Sequence, residues 1–245
     1  MKYSRTVLSV KGVAKRFGGL VAVSDMSFDV AEHEMVGLIG PNGSGKTTVM
    51  NMISGVFKPT VGHIFLKGRR ISSLPAESIA RAGVGRTFQL VKLLPQLSVL
   101  ENVVAGAVFG HHRRWGIEAE NFAQVMLERV GMEAMIHAPI SSLTYIDQKR
   151  VELARILAGE PEVLLLDEWL AGLNPTELEI GIELIHALRD EGRTVVLVEH
   201  VMDAIRSLCD RCVVMSSGEK IAEGSPADVL SNRDVIRAYL GEDDA

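Results

Sequence analysis

Hydrophobic positions in the first thirty residues alternate, with Leu8, Val10 and Gly12 and then Val21, Val23, Met26, Phe28 and Val30 at even or nearly even spacing. A side-chain period of two predicts half-buried antiparallel strands. Further along, the pattern changes to short unbroken apolar runs at 35–39, 163–166 and 194–198, as expected of parallel strands covered on both faces. Between about 89 and 160 the period becomes helical. Ser98-Val99-Leu100-Glu101 forms a capping box ahead of Val103, Val104 and Val108. A second helix is predicted over 117–130 with Phe122, Val125, Met126 and Val130 on its apolar stripe, and a third carries Val151, Ala154, Leu157 and Ala158 on one face. Asn174-Pro175-Thr176-Glu177 supplies an N-cap, an N1 proline and an N3 acid for a helix through about 190. These elements predict a single α/β domain spanning 1–245: a core of 1–88 and 161–245, with an antiparallel β subdomain at its N-terminus, and a helical insertion at 89–160.

One short segment adds chemistry to this plan. Gly40-Pro41-Asn42-Gly43-Ser44-Gly45-Lys46-Thr47 fits the phosphate-loop pattern G-x-x-x-x-G-K-[ST] and lies between the 35–39 strand and a helix predicted over 48–54. Glycines let successive N–H groups curl around phosphate oxygens at a helix N-terminus, where the helix dipole favours anions. Residues 40–48, ending on Thr48, are therefore expected to bind the phosphates of a nucleoside triphosphate. Lys46 would neutralise the β- and γ-phosphates, and the Thr47 hydroxyl would ligate Mg²⁺. The fold class this implies is a P-loop NTPase core with a mostly parallel sheet.

The run Val163-Leu164-Leu165-Leu166-Asp167-Glu168 is a buried strand ending in two acids. Asp167 suits water-mediated Mg²⁺ coordination, and Glu168 beside it suits orientation or deprotonation of an attacking water. That pairing points to hydrolysis rather than transfer to a bound acceptor.

Composition narrows the choice further. At 245 residues the chain has room for one nucleotide-binding domain but not two. Its net charge of −5 argues against general attraction to nucleic acid, and Lys67, Arg69, Arg70 and the His111-His112-Arg113-Arg114 run read as solvated surface. No stretch free of Asp, Glu, Lys and Arg reaches the length needed to span a bilayer, and the N-terminal apolar segment is too short for a signal peptide. Cys209-x-x-Cys212 lacks a second ligand pair and reads as two packed thiols.

Over essentially its whole length the chain resembles the ATP-binding cassette family. Phe17, in Lys15-Arg16-Phe17-Gly18, matches the aromatic that stacks on adenine; Gln89, in Arg86-Thr87-Phe88-Gln89, matches the lid glutamine that reaches Mg²⁺ and the attacking water. His200, in Val198-Glu199-His200, matches the switch histidine at the γ-phosphate. The resemblance implies an ATPase using ATP and Mg²⁺, with Thr47, Gln89 and Asp167 in the metal shell and Glu168 and His200 catalytic. It also implies a second cassette subunit, in a homo- or heterodimer, transmembrane permease subunits, and peripheral attachment at the cytoplasmic face of the membrane. Leu93 and Leu94, just after the lid glutamine, would dock the permease.

The finer resemblance is to the ATPase subunits of branched-chain amino-acid importers, through residues 17–23, Arg86-Thr87-Phe88-Gln89, Ala171-Gly172-Leu173-Asn174-Pro175 and Ala238-Tyr239-Leu240-Gly241-Glu242. ATPases of lipopolysaccharide and urea transporters are similar. The family signature Leu-Ser-Gly-Gly-Gln is degenerate here: Leu143-Thr144-Tyr145-Ile146-Asp147. Ile146 is expected to resist the positive φ and close backbone approach that glycine allows, and Asp147 to set a negative charge against the γ-phosphate of the partner's site. At about 4 Å and an effective dielectric of 20, two unit charges interact by about 4 kcal/mol. A cassette gated by ATP, with little hydrolysis of its own, is the alternative this departure raises. Trp169, where relatives usually carry proline, would either fill a packing gap or alter the approach of the partner cassette.

Overall fold

The computed structural model describes residues 5–240. Among the described residues ten strands form two sheets. β1 (Thr6–Phe17), β2 (Leu20–Ala31), β4 (Val61–Leu66) and β5 (Arg69–Arg70) make an antiparallel sheet in the order β2-β1-β4-β5. The second sheet runs β10 (Glu219–Gly224), β9 (Arg211–Ser216), β3 (Met35–Ile39), β8 (Val195–Val198), β7 (Val163–Asp167), β6 (Val84–Arg86), all parallel except the antiparallel edge strand β10. The alternating N-terminal pattern and the unbroken apolar runs thus fold as their periods predict.

The continuous runs are apolar because each parallel strand serves two cores. Met35 and Ile39, Leu164 and Leu166, and Val195 and Leu197 face one, shared with the helices. Val36 and Leu38, Val163 and Leu165, and Val196 and Val198 face the other, shared with β1, β2, β4 and the helix after β3. Alternation is present but hidden, since both faces exclude water.

Nine α-helices and two short 3-10 turns, Glu133–Met135 and Ile140–Ser142, complete the described chain: α1 (Lys46–Ile53), α2 (Ala76–Ala82), α3 (Val99–Phe109), α4 (Gly116–Arg129), α5 (Tyr145–Ala158), α6 (Pro175–Asp190), α7 (Met202–Leu208), α8 (Pro226–Ser231) and α9 (Arg233–Leu240). The capping boxes at Ser98 and Asn174 are both closed by reciprocal hydrogen bonds to Glu101 and Glu177. On α4 the expected stripe holds for Phe122, Met126 and Val130, which pack on the helical core, but not for Val125, which is exposed; Ala119, Ala123 and Leu127 complete the buried face. Positions 119, 123, 126 and 130 recur at intervals of three and four, and 125 falls off that face.

Candidate functional site

The loop between β3 and α1 leaves the C-terminal end of the central strand, where open α/β sheets bind ligands. Two glycines set its path. Gly40 has φ 148° and its α-carbon faces the Met215 carbonyl of β9, so a side chain there would collide with backbone. Gly45, the N-cap of α1, has φ 102°, and a Cβ would lie 2.7 Å from the Ala22 carbonyl. α1 carries no side-chain cap and no acid in its first turn, so its first N–H groups are left for an external acceptor.

A cleft of about 450 Å³ opens on this helix start, lined by Asn42, Gly43, Gly45, Lys46, Thr47, Thr48 and Glu168. Its other walls are Leu20, Val21 and Ala22 at the start of β2, and Ser217 and Gly218 in the β9–β10 turn. That turn braces the loop directly: the Gly218 N–H donates to the Ser44 carbonyl at 3.0 Å, and Ser24 N–H donates to the Gly218 carbonyl at 2.8 Å. Nothing in the local pattern marked Ser217 or Gly218 as site residues; only their turn composition offered a signal.

Lys46 is buried and donates to the carbonyls of Gly40 and Pro41 at 2.8 and 2.9 Å. Burial lowers its pKa from the usual lysine value, while the nearby Glu168 and Asp167 oppose that shift. Glu168 joins two other sequence candidates that lie far apart in the chain. Its Oε2 accepts from Gln89 Nε2 at 2.7 Å, and its Oε1 lies 3.1 Å from His200 Nε2. Glu168 itself has φ 50°, the left-handed region that non-glycine residues rarely occupy.

Asp167 is held by Arg86, whose Nη2 donates to Oδ2 at 2.8 Å inside the fold. The other guanidinium nitrogen donates to Asn51 and Ser54 of the α1 region at 2.8 and 2.7 Å. Arg86 thereby ties the metal-candidate acid to the helix that follows the phosphate loop. Asp167 Oδ1 is buried and has no protein partner, as is Ser44 Oγ in the loop. An open carboxylate oxygen on Asp167, whose charge is felt at Lys46, together with the Thr47 hydroxyl in the cleft wall, is the kind of donor set a hard, oxygen-seeking cation takes, so the residues present fit Mg²⁺.

Phe17 stands apart from this cleft. It is 41% exposed, packs edge-on to Phe57 with ring centroids 5.2 Å apart, and lies under Lys15 Nζ at 5.1 Å. Leu93 and Leu94 also separate: Leu93 is half-buried against the helical core, whereas Leu94 is exposed and lines a groove of about 310 Å³ with Phe109, Val84 and Ile156.

The degenerate signature forms the start of α5. Leu143 is buried, Thr144 is the N-cap and accepts from the Asp147 N–H, and Tyr145 begins the helix. Ile146 does not have positive φ; it is a helical residue with its side chain buried, so the backbone strain expected of it is absent. Asp147 is engaged at both oxygens, by the Thr144 hydroxyl at 2.6 Å and by Arg150 at 3.5 Å, which partly balances its charge. Trp169 is wholly buried, with its ring 3.3 Å from where a Cβ on Gly181 of α6 would sit. It fills a packing gap. Cys209 and Cys212 are free, buried thiols whose sulfurs face Gly37, and their mutual hydrogen bond together with burial pushes the Cys209 pKa up.

Comparison with known proteins agrees with this geometry. A family described as "ABC transporter" matches residues 23–171, and one described as "Branched-chain amino acid ATP-binding cassette transporter" matches residues 219–245. The high-affinity branched-chain amino acid transport ATP-binding protein LivG of Salmonella typhimurium is 44% identical, over 98% of this chain and 99% of its own. A solved ATP-binding cassette of an ABC transporter in its ADP conformation superposes with a TM-score of 0.87 at 28% identity, covering 97% of this chain and 99% of that one. A dimeric bacterial ABC transporter cassette superposes with a TM-score of 0.81 at 29% identity, covering 89% and 98%.

Proposed function

This chain belongs to the ABC transporter family, and we propose that within it the chain is the ATP-hydrolysing subunit of an importer for branched-chain or related amino acids. The family makes it an ATP-binding ATPase that works with membrane components and pairs with a second cassette. The identity to LivG and the separate match of residues 219–245 support the amino-acid assignment. The observation that carries the catalytic reading is the convergence of Gln89 and His200 on the two carboxylate oxygens of Glu168, at the mouth of the cleft that contains Lys46.

In this reading residues 40–48 hold the phosphates, Lys46 moving from the Gly40 and Pro41 carbonyls to phosphate oxygens, and Phe17 leaves its edge contact with Phe57 to stack on adenine. Thr47, Gln89 and Asp167 would hold Mg²⁺, which when bound would draw charge from the phosphate oxygens. Glu168 takes the proton of the attacking water, and His200 faces the γ-phosphate. The γ-phosphate makes the differential contacts, so its presence closes the cassette dimer and its loss opens it. The groove lined by Leu94 and Phe109 receives the permease, fixing the chain to the cytoplasmic face of the membrane; no helix among the described residues is long and apolar enough to cross it. The whole chain acts as one cassette, with 89–160 as its helical part.

A second reading, a cassette that binds ATP and contributes little hydrolysis at the site facing its own signature, is favoured by Asp147 at the first turn of α5. Co-expression with the permease subunits and measurement of ATP-driven leucine uptake into vesicles tests the main proposal. Uptake should vanish with Glu168→Gln, and uptake at the parent rate in that variant would refute the role of hydrolysis here.

A further inference from the structure

Two buried ionisable side chains outside the cleft are aimed at its catalytic loop. Lys149, on α5, and Glu199, which follows β8, are each 1% exposed. A charge so far from water persists only where its polar atoms are used. Lys149 Nζ donates to the Trp169 carbonyl at 2.8 Å, and Glu199 Oε1 accepts from the Leu170 N–H at 2.7 Å.

Those two groups lie immediately after Glu168, the residue in the left-handed conformation. A side-chain-bearing residue stays there only when its surroundings over-determine it. On the other side, the Glu168 N–H donates to the Val198 carbonyl of β8 at 2.8 Å. The backbone around Glu168 is thus held from β8, from α5 and from the residue next to His200.

We infer that Lys149 and Glu199 are positioning residues for ATP hydrolysis, clamping residues 169 and 170 so that the Glu168 carboxylate stays between Gln89 and His200. This rests on the reading of Glu168 as the base. α5 also carries the signature at its first turn, and Tyr145 there touches the same machinery: its ring lies 4.8 Å from Lys149 Nζ and its hydroxyl donates to the Gln89 carbonyl at 3.5 Å. The helix start that faces the partner's nucleotide is therefore tied to this chain's own Glu168.

The test is steady-state ATP hydrolysis by the full chain with its co-purified permease, as a function of ATP concentration. Lys149→Met should lower kcat by about tenfold to a hundredfold, the scale of a small misplacement of a catalytic group. KM and the calorimetric ATP affinity should stay within about twofold of the parent. Lys149→Arg, which keeps a donor cation, should restore kcat to within about threefold, and Glu199→Leu should reproduce the loss. Lys149→Met should not lower the small residual turnover of Glu168→Gln any further, because the group it positions is gone. A folded Lys149→Met enzyme with parent kcat overturns the clamp, as does an additive loss in the Glu168→Gln background. Loss of melting temperature, KM and kcat together without rescue by arginine assigns Lys149 to packing and also overturns it. If Glu168→Gln alone turned over normally, the base assignment would fail instead.

Discussion

Arg86 and Asp167 form a buried ion pair at 2.8 Å that bridges β6 and β7 and continues to Asn51 and Ser54 near the phosphate loop. Removing one member of such a pair leaves an uncompensated charge, which costs about 3–5 kcal/mol. Arg86→Met should therefore lower the unfolding free energy by about that amount in urea titration. Adding Asp167→Asn should recover part of the loss, and full additivity of the two changes would show that the pair is not coupled.

Lys46→Ala should weaken ATP binding tenfold or more, about 1.4 kcal/mol, because the cleft loses its buried cation. Glu168→Gln should bind ATP as the parent does and turn it over only at a small residual rate. Calorimetry with both variants separates the two roles; equal affinity of parent and Lys46→Ala would remove Lys46 from the phosphate site.

Glu199 gives a pH signature. Burial raises its pKa from 4.5 to about 7, against the opposing effects of the Leu170 and His200 N–H groups and Lys149. Its folded pKa lies above its unfolded one, so its contribution is fully present below pH 4.5 and is lost as pH rises to about 7. Glu199→Gln keeps an acceptor for Leu170 and removes the titration. The stability of Glu199→Gln relative to the parent should climb between those limits by about 3 kcal/mol and then level off. A difference independent of pH across that window would mean that Glu199 does not titrate there.

Signature repair should separate into two unlike effects. Asp147→Gln removes a charge from the exposed turn of α5 and should raise turnover if that charge opposes the partner's γ-phosphate. Ile146→Gly removes a buried side chain from a helix and should destabilise the protein by about 2–5 kcal/mol. Thermal denaturation of each single variant distinguishes them, and an unchanged melting point for Ile146→Gly would contradict its burial.

Leu94→Glu with Phe109→Glu should release the permease during co-purification while ATP affinity is retained, since both side chains are exposed in the same groove and neither borders the cleft. Leu93→Glu should instead lower the melting temperature, because Leu93 packs on the helical core. Retention of the permease by the double variant would exclude the groove as its dock.

Elements defined by neighbours in the chain were readable before the fold was known. The phosphate loop shows its strand, glycines and helix in one stretch, and Ser98 and Asn174 cap helices through partners three residues away. Pairings across the sheet were not. Arg86 meets Asp167 across 81 residues of chain, and the left-handed backbone of Glu168 has no local signature in glutamate. Ile146 shows the opposite failure: the family motif suggested a positive φ, yet the residue sits inside a regular helix turn where its branched side chain is buried. Val125 differs for a related reason: apolar positions 122, 125 and 126 allow two overlapping faces of α4, and packing on the core selects the one that includes Ala119 and Ala123.

Because alternate residues of β3 belong to different cores, its backbone is the seam along which those two packed bodies meet. Its amides should be among the last in the molecule to exchange with heavy water, opening only when both bodies come apart. α3, α4 and α5 pack on one side of that seam and β1, β2 and β4 on the other, so the two sides share no buried apolar side chain. The strand that bears the phosphate loop thus acts as a stationary bearing for that loop, while Lys149 and Tyr145 of α5 pass rearrangement of the helical side to Glu168 and Gln89.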